Sequence, residues 1–113
     1  MIYLGIGSNL SSSFGNRFTN INSAISYLQQ KQINLIKKSS FYETFSYPNR
    51  EYPKFINIVV EVTTSLSAKN LMKELILIEE KLERKRLKKN DPRTCDIDII
   101  DYNNEIVNLK LGN

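Results

Sequence analysis

Phe55-Ile56-Asn57-Ile58-Val59-Val60-Glu61-Val62 is the stretch that decides the fold. Ile56, Ile58, Val60 and Val62 recur at every second position, the period of an extended strand with one face turned to a core. Phe55 and Asn57 then share the opposite face. Working outward, Phe18, Ile21, Ile25 and Leu28 recur at steps of three and four, which predicts a one-faced helix over Arg17–Gln30. Ser67 can cap a second helix whose buried stripe is Leu71, Leu75, Ile78 and Leu82. Ile2–Gly7 reads as a short buried strand and Ile33–Thr44 as another, followed by a turn-rich loop, Ser46–Pro53. Asp91-Pro92 breaks the chain. Cys95, Ile97 and Ile99 alternate with Asp96 and Asp98 in a last core strand, and Tyr102–Asn113 suggests a hairpin around Asn103-Asn104. The order β-α-β-β-α-β predicts an α+β, ferredoxin-like fold, two helices on one face of an antiparallel sheet. At 113 residues, one domain over 1–113 is expected.

Composition narrows the chemistry. With 41% hydrophobic and 25% charged residues the chain fits a soluble globular protein. It has no apolar run of the roughly 18 residues that cross a bilayer, so no membrane partner is expected. The lone Cys95 cannot form an internal disulfide, and a cytoplasmic setting is the expectation. No histidine is present, which removes the commonest general base and makes zinc improbable, whereas oxygen-seeking magnesium remains available. The net charge of +4 is mild, but Lys81, Arg84, Lys85, Arg86, Lys88, Lys89 and Arg93 crowd one segment. That run is either a solvated helix end, favoured by the helix dipole, or the place where a polyanion meets the chain.

Asp96 and Asp98 stand two apart in a strand, so both point to one face with β-carbons roughly 6–7 Å apart, from a rise of about 3.3 Å per residue. Carboxylates so spaced can hold two divalent ions about 3.5–4 Å apart; they can equally be solvent-facing acids paired with lysines. Arg84, Arg86 and Arg93 nearby favour the first reading, because guanidinium groups bind phosphate oxygens through paired hydrogen bonds. Phe55 can stack on a flat heterocycle while the Asn57 amide reads its edge, or the two are an exposed aromatic beside a polar residue. Glu79 lies at the edge of the second helix's buried stripe. Gly5-Ile6-Gly7-Ser8-Asn9 lacks the third glycine of a dinucleotide fingerprint and the lysine of a P-loop, which excludes both. Its glycines permit close backbone approach.

These pieces, in this order, resemble the 6-hydroxymethyl-7,8-dihydropterin pyrophosphokinases of the folate pathway, from Met1 to about Leu111. The resemblance is carried by Gly7-Ser8-Asn9, Ser40-Phe41-Tyr42-Glu43-Thr44, Phe55-Ile56-Asn57, Ile78-Glu79 and Arg84-Lys85-Arg86. The block Pro92-Arg93-Thr94-Cys95-Asp96-Ile97-Asp98-Ile99 completes it. It implies an ATP-dependent diphosphokinase that moves the β,γ-pyrophosphoryl unit of ATP to the pterin hydroxymethyl oxygen, leaving AMP. By the same analogy Asp96 and Asp98 ligate two magnesium ions, and Arg84, Arg93, Asp96 and Asp98 form the catalytic group. Glu79, Arg84, Arg86, Arg93 and Ile99 meet ATP, while Thr44, Ser46, Phe55 and Asn57 meet the pterin. The loops Ser11–Asn16, Ser46–Pro53 and Leu87–Asp91 close over the substrates. The expected partners are these two small molecules, with no nucleic acid, and a monomer.

The chain departs from the family at Asn90 and Asp91, at Phe45-Ser46-Tyr47, and at Ile76, where a glutamine is common. Family members continue past the point matching Leu111 with a Pro-His motif, a further arginine and a second aromatic. The expectation is therefore a C-terminally truncated chain with apolar surface left uncovered. The alternatives are an impaired fragment that only binds ligand, and a non-catalytic nucleic-acid-binding module of the same fold class. Against the latter, the sequence lacks the R-G-F type RNA motif, and its paired acids repel phosphate without metal.

Overall fold

The computed structural model describes residues 1–85 and 91–104. Seven elements follow one another: β1 (Ile2–Ser8), α1 (Arg17–Gln30), β2 (Asn34–Lys38), β3 (Tyr42–Thr44), β4 (Phe55–Thr63), α2 (Ala68–Lys81) and β5 (Asp96–Tyr102). The strands make one antiparallel sheet in the order β2-β4-β1-β5, with β3 pairing to β4 beyond β2. Helix α1 packs on β1, β2 and β4, and α2 packs on β5 and α1. Both helices thus cover one face, the expected α+β ferredoxin-like arrangement. No helix among the described residues is long and apolar enough to cross a membrane.

The alternating residues account for the core. Leu4, Ile6, Ile58, Val60 and Val62 face Ile21, Leu28, Leu71, Leu75, Ile78 and Leu82, all essentially without solvent contact. Helix α1 runs over the predicted Arg17–Gln30, with the Asn16 side chain accepting from the Thr19 N–H as its N-cap. Ser67 caps α2 by accepting from the Asn70 N–H. Both helices end in the same way. Gln32 and Glu83 take positive φ (61° and 71°), and the next residues, Ile33 and Arg84, donate their N–H back to Leu28 and Glu79. This is the Schellman closure, made here without glycine.

One expected strand divides. Ile33–Thr44 is not continuous: β2 leaves the ladder after Lys38, and β3 rejoins it at Tyr42. Between them the Ser39 hydroxyl accepts the Val59 N–H at 2.9 Å, replacing the carbonyl that a continued strand would offer. Three residues between Lys38 and Tyr42 then oppose two between Val60 and Asn57, so β3 resumes in a shifted register. At the other end of the sheet Asn103 fastens β5 to β1, its N–H donating to the Met1 carbonyl and its Oδ1 accepting from the Met1 amino group. Asn103 and Asn104 both hold positive φ, as a tight hairpin turn requires. The remainder of the expected Tyr102–Asn113 hairpin lies outside the described residues.

The core reading is testable by denaturation. Leu4→Ala should lower unfolding free energy in urea by about 2–5 kcal/mol, through lost burial and the cavity left in the central strand. Ile36→Ala, at a side chain 52% exposed, should change it by no more than about 0.5 kcal/mol.

Candidate active site

The sheet face away from the helices carries the candidate residues, and register decides who meets whom. Gly7 of β1 is paired with Asn57 of β4 on one side and with Asp96 of β5 on the other; Gly5 is likewise paired with Asp98. Asn57 and Asp96 therefore lie two strand spacings apart, roughly 9–10 Å, with no β1 side chain between them. A methyl group on Gly7 would come within 2.8 Å of Asn57 Oδ1 and 3.3 Å of the Phe55 ring. The glycines are thus the floor of a shallow trough between the β4 and β5 residues, over which Asn57 and Phe55 lean at Gly7 and Ile100 leans at Gly5. Their spacing of two along a strand was the available sign, since glycine inside a strand marks close approach.

On the β5 side, charges are locked together. The Schellman closure brings Arg84 beside its own helix, where Nη1 meets Glu79 Oε2 at 2.8 Å and reaches Asp96 Oδ1 at 3.1 Å and the Cys95 carbonyl at 3.3 Å. Glu79 is buried (2% exposed), and its Oε2 also accepts the Ile97 N–H at 2.7 Å. So Glu79, expected at the nucleotide site, is already engaged in holding Arg84 and β5. Arg93 approaches Asp96 Oδ2 with Nη1 at 3.7 Å, donates Nε to the Asp91 carbonyl, and lies 5.7 Å from the Phe55 ring centre. One guanidinium therefore addresses each oxygen of Asp96.

Asp98 has one side open to solvent, yet its carboxyl is pushed up to about 6. Partial burial is the main cause, followed by the negative charge of Asp96 and a hydrogen bond to it; Arg84 and Arg93 pull the other way. Burial likewise pushes the Cys95 thiol well above its ordinary value, which suits an inert core residue.

On the β4 side the Asn57 Nδ2 donates to Thr44 Oγ1 at 2.9 Å and to the Tyr42 carbonyl at 3.3 Å, which aims its Oδ1 at the trough. Ser46 is buried just past β3. Ile99 is half-buried against the core. The loop expected to close at Ser11–Asn16 is tied down: the Ser13 N–H and hydroxyl both donate to the Glu83 carboxylate, holding that carboxyl below its ordinary value. Arg86 and most of Leu87–Asp91 lie outside the described residues.

A carboxylate pair offers hard oxygen donors suited to magnesium. No cluster of three or more metal-ligating side chains occurs among the described residues. The donor set therefore fits an ion that completes its shell with water and phosphate oxygens, the usual habit of magnesium.

A ferredoxin-like sheet that sets paired carboxylates and two arginines across a glycine trough from an aromatic–amide pair defines the class. The chain belongs to the 7,8-dihydro-6-hydroxymethylpterin-pyrophosphokinase family, whose profile matches residues 3–112. It is 34% identical over 110 residues to the 2-amino-4-hydroxy-6-hydroxymethyldihydropteridine pyrophosphokinase of Aquifex aeolicus, covering 97% of this chain and 66% of that one. The Bacillus subtilis protein of the same name is 36% identical over 104 residues, with 91% and 60% covered. The folic acid synthesis protein fol1 of Pneumocystis carinii is 38% identical over 107 residues, which are 95% of this chain and 14% of that protein. The chain thus spans two thirds or less of the length of these relatives.

The raised Asp98 sets a pH signature. Its folded-state value of about 6 lies above the ordinary 3.8, so the ionised carboxylate destabilises the metal-free fold above pH 6. That penalty fades between pH 6 and 4, where the folded state takes up the proton first. Asp98→Asn should therefore raise the melting temperature in metal-free buffer at pH 7–8, with the gain disappearing toward pH 4. A gain that persists unchanged at pH 4 contradicts the assignment.

Proposed function

We propose that the free sheet face binds ATP with magnesium on the β5 side and 6-hydroxymethyl-7,8-dihydropterin on the β4 side, and transfers pyrophosphate between them. The observation that carries this reading is the pairing of Gly7 with both Asn57 and Asp96, which sets a heterocycle-reading half beside a charge-handling half with no β1 side chain between them. In the reaction the pterin hydroxymethyl oxygen attacks the β-phosphorus of ATP. The bond from that phosphorus to the α,β-bridging oxygen breaks, AMP departs with the oxygen, and the hydroxyl proton is lost.

Each residue has a physical task. Asp96 and Asp98 would hold the two magnesium ions, which neutralise phosphate charge when bound. Arg84 and Arg93 would face phosphate oxygens, and Arg86 would assist. Asn57, steadied by Thr44, would read the pterin edge while Phe55 covers its ring; the backbone near Thr44 and Ser46 would complete that subsite. Ile99, packed inward, would meet a nucleotide through its backbone. Glu79 would contribute by fixing Arg84. With no histidine in the chain, catalysis would rest on alignment and charge stabilisation. The resulting product would serve folate synthesis, the process named for the Pneumocystis carinii relative.

AMP formation from ATP and hydroxymethyldihydropterin with magnesium tests the reading. Activity should fall about a hundredfold or more in Asp96→Ala, the order expected on losing a charge-stabilising group. Absence of AMP above background from the folded, unaltered chain would sink the proposed activity. Gly7→Ala should act differently: its methyl displaces Asn57 from Thr44, weakening pterin binding about tenfold, as loss of one or two hydrogen bonds would, with nucleotide binding little changed.

A further inference from the structure

Asn9 stands just past β1, outside the alternation that explains the strand, and is 1% exposed. Its backbone N–H donates to the Arg93 carbonyl at 3.1 Å, and its Oδ1 accepts the Arg93 N–H at 2.7 Å. Its Nδ2 donates to the Pro53 carbonyl at 3.0 Å. An oxygen facing an N–H and a nitrogen facing a carbonyl fix the amide's orientation, because a flip would oppose like groups at both ends. One buried side chain thus grips two segments that lie 84 and 44 residues away along the chain.

Those segments lead into different halves of the trough. Arg93 opens the run to Asp96 and Asp98. Pro53 precedes Phe55 and Asn57, and the neighbouring Lys54 carbonyl accepts from Arg17 Nη1 at 2.8 Å, a second hold on the same entry to β4. The ladders of β1 set the lateral spacing of the halves, but neither Arg93 nor Pro53 lies in a strand. Their positions depend on what grips them.

We infer that Asn9 is a positioning residue that sets the nucleotide half against the pterin half. This rests on the proposed function for the identity of the two ligands. Asn9 touches neither of them: it acts through the Arg93 backbone at one end of its amide and the Pro53 carbonyl at the other. Transfer between two separately held ligands is sensitive to small misalignment of their sites, so one link common to both is where such alignment is controlled.

The two ends of the amide can be cut separately. Asn9→Asp keeps an acceptor for the Arg93 N–H and loses the donor to Pro53; Asn9→Leu loses both. In the full chain, Asn9→Asp should weaken 6-hydroxymethylpterin, read by its own fluorescence, about tenfold, the scale of a lost buried hydrogen bond. Magnesium α,β-methylene-ATP, read by calorimetry, should keep its affinity within about twofold, and Asn9→Leu should weaken both ligands. Equal losses for both ligands in Asn9→Asp, or no loss for either, overturn the inference. If the unaltered chain binds neither ligand, the proposed function fails instead. The clamp is then judged by amide exchange in the unaltered, ligand-free protein. The Arg93 N–H should exchange at least about a hundredfold slower than in an unstructured peptide, as a stably bonded amide does. Exchange at the peptide rate would overturn the clamp, and this reading stands even if the variants fail to fold.

Discussion

Two ladders meet on β1, and their registers fix what the free face of the sheet presents. Side chains alternate between faces along a strand, so a slip of one residue against either neighbour would bury a polar set and expose an apolar one. The apolar residues on the helix side, Leu4, Ile6, Ile58, Val60 and Ile97, resist such a slip because all five are withdrawn from water. The same constraint delivers Gly5 and Gly7 to the free face, between Asn57 and the aspartates. The trough is therefore a by-product of core packing: burial on one side determines the geometry on the other.

Electrostatics then refines what register delivers. Glu79 is an ionisable group taken almost wholly out of water, a costly placement unless it is paired and hydrogen-bonded. It has both, through Arg84 and the Ile97 N–H. Arg84 is thereby fixed to α2 and β5 together, and from there it reaches Asp96. Beside this group the Asp98 carboxyl is held up to about 6, first by partial burial and then by the negative charge of Asp96. A cation arriving beside Asp98 would offset the part of that rise that comes from Asp96.

Much of this was legible in the sequence, and the exceptions share a cause. The alternation of Ile56, Ile58, Val60 and Val62 and the helical spacing of Ile21, Ile25 and Leu28 report burial, and burial is what the fold preserves; Phe18, expected in the same stripe, is instead 40% exposed, packed edge-on against Phe41. The Asp96–Asp98 spacing gave their common face for the same reason. The break at Ser39 was hidden because it is made by a hydroxyl competing with a backbone carbonyl, which leaves no mark on hydrophobic periodicity. The helix ends were visible from the loss of periodicity, although Gln32 and Glu83 occupy the position where glycine is the usual sign. Glu79 looked like the edge of an apolar stripe because its partners, Arg84 and the Ile97 N–H, come from beyond the helix. Asn9 stood in the sequence only as the end of Gly7-Ser8-Asn9, with nothing to mark its partners: they are 84 and 44 residues distant, and only the assembled sheet brings them together.

The two arginines differ in a way that neither spacing nor charge count reveals. Arg84 sits in short contacts with Glu79 and Asp96, largely withdrawn from water, so removing it would take a 2.8 Å ion pair from the buried Glu79. Arg93 reaches Asp96 only at 3.7 Å from a more exposed position, while its backbone is held by Asn9. A contact of that length is weaker than the 2.8 Å and 3.1 Å contacts of Arg84. The guanidinium of Arg93 is thus held less closely to Asp96 than that of Arg84, and its backbone anchor at Asn9 is independent of its charge. Arg84 can reach a phosphate only from a fixed station. A closely held cation and a less closely held one, on opposite oxygens of a single carboxylate, would let the site accept a large anion while the strand that carries both aspartates stays in place.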